Sequence, residues 1–243
     1  MKKISQRLQK IDSMVNIHYQ NIWDCCCDHG LLGLTLLKRQ AADTIHFVDI
    51  VPSLTTHLES LLQKHFSADD YIQAWQVHCI DVAKLPLTRQ NKQLVIIAGV
   101  GGELLISFIE SIITNFKQNT LINPTSEIEF IVCPVHYNYS VRQTLIAHHC
   151  TLLDECIVTE NKRCYEVIHV KKHFGVSADI DNPLKKISPT GDVMWDLSIK
   201  SHQQYLATTI KHYQRMLQST NDSDKKSINN IIEQYSALIT SLK

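Results

Sequence analysis

Four aspartates, Asp24, Asp28, Asp49 and Asp81, stand at or near the ends of three short apolar runs, and five of the seven glycines fall into two groups. Gly30 and Gly33 follow the first run, while Gly99, Gly101 and Gly102 follow the fourth. Glycine lets backbone approach a ligand closely or adopt positive φ, so both places read as ligand walls. A carboxylate closing the second strand of an open α/β sheet is placed to accept hydrogen bonds from both hydroxyls of a ribose. Asp81 is similarly placed to face the exocyclic amine of an adenine. Each aspartate taken alone equally suits a helix N-cap. Three strand-end aspartates beside two glycine groups favour a nucleoside site.

The loop Asp24-Cys25-Cys26-Cys27-Asp28-His29-Gly30-Leu31-Leu32-Gly33 lacks the full G-x-G-x-x-G that cradles a dinucleotide pyrophosphate, and no G-x-x-x-x-G-K-[ST] occurs. NAD and nucleoside triphosphates are thereby disfavoured, and an NAD-dependent oxidoreductase is the weakest reading. S-adenosylmethionine, which carries ribose and adenine but no phosphate, suits the pattern better. The eight cysteines include Cys133-x-x-His136 and the Cys25 to His29 run, yet no second pair completes four zinc ligands. They read as small buried hydrophobes with no metal, and a reducing cytoplasm suits them better than a disulfide framework.

Placing these groups requires alternating strands and helices. Runs rich in β-branched and aromatic residues at 21–27, 44–50, 75–80, 94–98 and 128–133 predict strands, with helices at 31–39, 52–65, 103–116 and 141–149. Such alternation demands crossovers, hence a doubly wound, mainly parallel α/β sheet whose first and fourth strands flank the crevice where strand order reverses. Ile4, Leu8, Ile11 and Val15 predict an amphipathic first helix with a basic outer face. Runs 152–158 and 164–170, joined by a short link, predict an antiparallel hairpin. Leu206, Ile210, Tyr213 and Leu217, then Ile228, Ile231, Tyr235, Leu238 and Leu242, predict two antiparallel helices with facing apolar seams. The expected division is 1–173, a linker at 174–193, and 194–243.

The 24 basic and 24 acidic residues cancel, but unevenly along the chain. Residues 1–15 carry 4 basic against 1 acidic side chain, 16–161 carry 8 against 15, and 162–215 carry 9 against 5. An acidic centre with basic flanks leaves room for an RNA partner on the flanks. No run of eighteen uncharged apolar residues occurs, so no membrane partner is expected.

The chain resembles a known family in Ser5-Gln6-Arg7-Leu8-Gln9, the Asp24 to His29 loop, Ile97-Ala98-Gly99-Val100-Gly101-Gly102, Pro134 followed by Arg142, Asp154-Glu155, and Arg163-Cys164-Tyr165-Glu166-Val167. In this order, with the helical C-terminus, they are similar to the bacterial tRNA (adenine-22)-N1 methyltransferases, TrmK, over nearly the whole chain. The resemblance implies a Rossmann-like core, S-adenosylmethionine, and tRNA bound across the core and a coiled-coil-like hairpin, in a cytoplasmic monomer. It implies cofactor contacts at Asp24, Cys26, Asp28, His29, Gly30, Asp49, Ile50, Asp81, Val82, Ala98 and Gly99. Asp28, Gly99, Val100 and Gly101 would form the catalytic turn, with Asp28 orienting rather than removing a proton. Substrate contacts are expected from Gly101, Gly102, Pro134, Tyr137, Tyr139 and Arg142, and phosphate contacts from Lys200, Lys211 and Arg215. Tyr137 and Tyr139 suit either stacking on an extruded base or ordinary packing at a helix start. The family has glycine where Cys26 stands and Gln-Pro-Asn where Cys133-Pro134-Val135 stands, which makes a non-catalytic RNA-binding or cofactor-binding descendant, or one with an altered substrate, the alternative.

Overall fold

A computed structural model describes residues 4–66, 74–88, 92–118, 126–174, 186–219 and 221–241. The first helix, α1 (Gln6–Met14), begins where Ser5 is extended and its hydroxyl accepts the Leu8 N–H, a satisfied N-cap. β1 (Tyr19–Cys25), α2 (Leu31–Lys38), β2 (Ala42–Asp49), α3 (Pro52–His65) and β3 (Trp75–Cys79) follow. Next come β4 (Gln93–Ala98), α4 (Gly102–Gln118), β5 (Glu127–Cys133) and α5 (Asn138–Ala147). The chain ends with β6 (Thr151–Glu160), β7 (Arg163–His173), α6 (Lys200–Ser219) and α7 (Asp222–Ser241). No helix among the described residues is long and apolar enough to cross a membrane.

The seven strands of the described residues join one sheet in the order β3-β2-β1-β4-β5-β7-β6. The first five run parallel, and β7 lies antiparallel to both β5 and β6. The order reverses between β1 and β4, where the sequence places it. The β6–β7 hairpin is longer than its apolar runs suggest, because Asn161 and Lys162 both take positive φ and close a two-residue turn.

Alternation across the sheet sorts side chains into two cores. Trp23, Cys25, Val95 and Ile97 face α4 and α5, where Leu105, Ile109, Ile113, Val141 and Leu145 cover them. Ile22, Leu94 and Ile96 face α1, α2 and α3, meeting Ile11, Leu36, Leu58 and Leu62. Each such fully buried aliphatic side chain stabilises the fold by roughly 1.5–3 kcal/mol.

The C-terminal pair is anchored to the sheet by a buried polar network. Arg142, 0% exposed, donates from Nε to Glu166 at 2.8 Å and from Nη1 to Glu155 at 2.7 Å. Glu155 also accepts the backbone N–H groups of Asp192 and Val193, and Glu166 accepts the Tyr205 hydroxyl from α6 at 2.8 Å. Arg142 is therefore not a substrate contact, because its guanidinium is spent inside the protein. Burial acts against the charged guanidinium, but the two carboxylates outweigh it and hold it protonated. Tyr139 is likewise internal: it packs with Tyr213 and Tyr235 beside Leu206, Met194 and Trp195, so it serves packing rather than base stacking. The seams of α6 and α7 thus close on each other and on α5 together. Residues 175–185 of the expected linker, and Leu242 of the expected seam, lie outside the described residues.

Removing one member of a buried charge network strands its partners. Arg142→Ala should lower the unfolding free energy by about 3–5 kcal/mol. Urea unfolding checks this, and a loss below about 1 kcal/mol would contradict the anchoring role.

Candidate active site

The reversal between β1 and β4 opens a cavity of about 230 Å³, walled by Asp24, Cys26, Asp28, His29, Ala98 and Gly99 among others. Sequence reasoning placed all six at one site. The loop after β1 reaches it through three left-handed residues, Cys26 (φ 55°), Asp28 (φ 50°) and Gly30 (φ 65°). Cys26 thus keeps a backbone conformation natural to glycine while carrying a thiol, which costs about 1–2 kcal/mol of local strain. The Cys26 side chain packs partly against the core beneath the cavity, and burial pushes its thiol up to about 11.

Asp24 ends β1 pointing towards α2, where one carboxylate oxygen accepts the Gly33 N–H at 2.8 Å. A Cβ on Gly33 would collide with the Phe47 ring and stand 2.9 Å from the same oxygen, so only glycine brings backbone this near. Burial is the main reason the Asp24 carboxyl rises to about 7; the Gly33 hydrogen bond opposes this and the Asp49 charge adds to it. Asp49 accepts the Asp28 N–H on one oxygen and the Val51 N–H on the other, both at 3.0 Å. It therefore ties the end of β2 to the first loop.

Asp81 caps the short 3-10 turn Val82–Lys84 by accepting the Ala83 N–H at 2.9 Å. The cap and the strand-end position hold at once, since a carboxylate has lone pairs to spare. Ile50 is 67% exposed just past Asp49, an apolar side chain facing solvent. Val82 is the reverse: its side chain is buried in the core below α4, so it offers no side-chain surface to a ligand.

The turn after β4 is bound to the turn after β5. The Gly99 N–H donates to the Cys133 carbonyl and the Val135 N–H donates to the Val100 carbonyl, each at 3.0 Å. Gly99 has φ 85° and faces the cavity. Gly101 and Gly102 have a different reason: a Cβ on either would collide with His136, its ring or its backbone. They make room for the neighbouring turn. Tyr137 follows at φ 62°, half exposed, its ring edge-on to His136 at 4.8 Å. Pro134 is buried beside them.

Lys200, Lys211 and Arg215 are exposed on α6. Ser201, Gln204 and Thr208 of that helix wall a larger groove, of about 1000 Å³, with Lys162, Arg163 and Tyr165 from the hairpin. Sequence reasoning missed this groove and missed Arg7, which lines the smaller cavity. A signal for Arg7 exists: it lies four residues before Ile11 and seven before Met14, on the buried stripe of α1. Among the described residues, no three His, Cys, Asp or Glu side chains cluster as metal ligands would.

A methyltransferase-domain family model matches residues 4–168. The chain belongs to that family. No curated protein matches it. Among solved structures, this methyltransferase is similar to the B. subtilis M1A22 tRNA methyltransferase TrmK, with TM-score 0.74 and 18% identity over 98% of this chain and 100% of that one. M. capricolum TrmK, solved with S-adenosyl-homocysteine, gives 0.69 at 16% identity over 99% of both chains. Streptococcus pneumoniae Sp1610, solved with S-adenosyl-L-methionine, gives 0.69 at 18% identity, covering 99% of this chain and 100% of that one. These likenesses extend the shared fold past the matched domain, through α6 and α7.

A carboxyl whose folded value is raised stabilises the fold fully below its unfolded value near 4 and loses that contribution as pH climbs through about 7. Asp24→Asn, which keeps an acceptor for Gly33, should therefore gain on the wild type between pH 4 and 7, by up to about 4 kcal/mol. Urea titrations at several pH values test this; a difference that stays flat with pH rejects it.

Proposed function

We propose that this methyltransferase uses S-adenosylmethionine to methylate N1 of an adenine in tRNA, acting as a cytoplasmic monomer. The observation that carries the proposal is the likeness to TrmK over 98% of this chain and 100% of that one, helical pair included. On this reading residues 1–173 form the catalytic unit, and residues 194–243 contribute an RNA-facing helical pair.

The residues at the crevice fit the donor. Asp49 has lone pairs left for ribose hydroxyls, Ile50 offers an apolar face to a purine, and Asp81 lies beyond β3 on the same side. Gly99 has no side chain between the cavity and the turn after β4. When bound, the donor supplies an electrophilic methyl group on a sulfonium. The acceptor, adenine N1, attacks with a neutral lone pair, so the protein needs no strong base and works by positioning. Asp28, exposed at the mouth, serves to orient, and the Val100 and Gly101 N–H groups, which take no part in the bonds between the paired turns, are left for the adenine edge. Adenine N1 lies on the pairing edge, so the target base must leave its stack; Tyr137, half exposed beside the turn, is placed to receive it. Lys162, Arg163, Lys200, Lys211 and Arg215, all exposed, supply cations for phosphates along the hairpin turn and α6.

Labelled donor with an unmodified tRNA transcript should yield 1-methyladenosine by nucleoside mass spectrometry, with RNA affinity falling as salt rises. Label in no RNA would overturn the proposal. Gly102→Ala, whose new Cβ would drive His136 and Tyr137 from the turn, should reduce the turnover rate on the order of 100-fold. Single-turnover kinetics measure that loss, and an unchanged rate would remove the turn from the active site.

A further inference from the structure

Arg7 enters the smaller cavity from α1, on the side of Gly99: its Nη2 lies 3.5 Å from where a Gly99 Cβ would stand. Its Nε is buried and has no hydrogen-bond partner. Among the described residues no carboxylate pairs with its guanidinium. The nearby Glu160 instead accepts the Arg7 backbone N–H at 3.3 Å. The guanidinium is nonetheless held in place, because it lies over the Tyr165 ring at 4.8 Å. A fixed cation with an idle, buried donor, paired with neither of the carboxylates Asp24 and Asp28 that line the same cavity, is open to a ligand's anion.

Resting on the donor reading above, we infer that Arg7 binds the α-carboxylate of the donor's amino-acid tail. Of the groups lining the cavity, Arg7 alone carries a permanent positive charge, while Asp24 and Asp28 suit the tail's ammonium. A guanidinium fork matches a carboxylate with two parallel hydrogen bonds. The stacking on Tyr165 presets the fork, so little side-chain freedom is lost on binding. Arg7 is thus the residue that makes the site select a donor with a carboxylate over an otherwise identical one without it.

Calorimetry on the full chain tests this with two probes, S-adenosylmethionine and its decarboxylated form, which keeps adenosine, sulfonium and ammonium. The wild type should bind the intact donor about 10- to 100-fold more tightly than the decarboxylated one, the range for charge-assisted hydrogen bonds. Arg7→Gln should lose that preference, weakening the intact donor by a similar factor and leaving the decarboxylated one within about twofold. Arg7→Lys, which keeps the charge without the fork, should fall between, and it decides the matter if the glutamine variant does not fold. Equal weakening of both probes would make Arg7 a structural residue, and unchanged binding of both would assign it to an RNA phosphate; either overturns the inference alone. A wild type that binds neither probe would remove the donor reading as well.

Discussion

A guanidinium with no access to water sits between two carboxylates at the junction of α5, β6, β7 and α6. Arg142, Glu155 and Glu166 are each at most 3% exposed, and charges so placed persist only when every lone pair and proton has a partner. That requirement organises the surroundings. Glu155 gathers the backbone of Asp192 and Val193, Glu166 takes the Tyr205 hydroxyl, and Asn138 donates to that same hydroxyl. The start of α5 is thereby fixed against both the sheet and the helical pair. Because Tyr137 and His136 lie immediately before α5, the turn after β5 inherits its position from this network.

The loop after β1 depends on different physics. There the backbone is bent through left-handed residues, and hydrogen bonds from loop N–H groups to Asp24 and Asp49 hold the bend. The two sides meet through the paired turns after β4 and β5. Rigid placement of this kind is what a displacement reaction without proton transfer asks of a protein.

Much of the fold was legible because it rests on short-range periodicity. The strand and helix order and the hairpins follow from spacing two or three to four residues apart, and the reversal between β1 and β4 from the common order of a doubly wound sheet. Asp24, Asp28, His29 and Gly99 were legible as a site because strand ends converge there in any doubly wound sheet. Arg142 was not, since its partners lie 13 and 24 residues away on separate strands. Even so, Glu166 alternates with Ile168 and Val170, and Arg142 stands three residues before Leu145, so both occupied inward positions. Charged residues on apolar faces were the overlooked signal, for Arg7 as much as for Arg142. Gly101 and Gly102 show that glycine marks any close approach, and here a close neighbour is His136.

The sheet order also dictates when this protein becomes a protein. β7 is inserted between β5 and β6, so the parallel half keeps an open edge at β5 until the last strand arrives. Arg7 rests on Tyr165, and α1 packs against β6 as well as α2, so the packing of the first helix is completed only by the same event. Contacts this distant in sequence slow folding and leave apolar strands unpaired during synthesis. A nascent chain still short of β7 has the loop after β1 in hand but neither the Tyr165 ring under Arg7 nor the full anchor for α5.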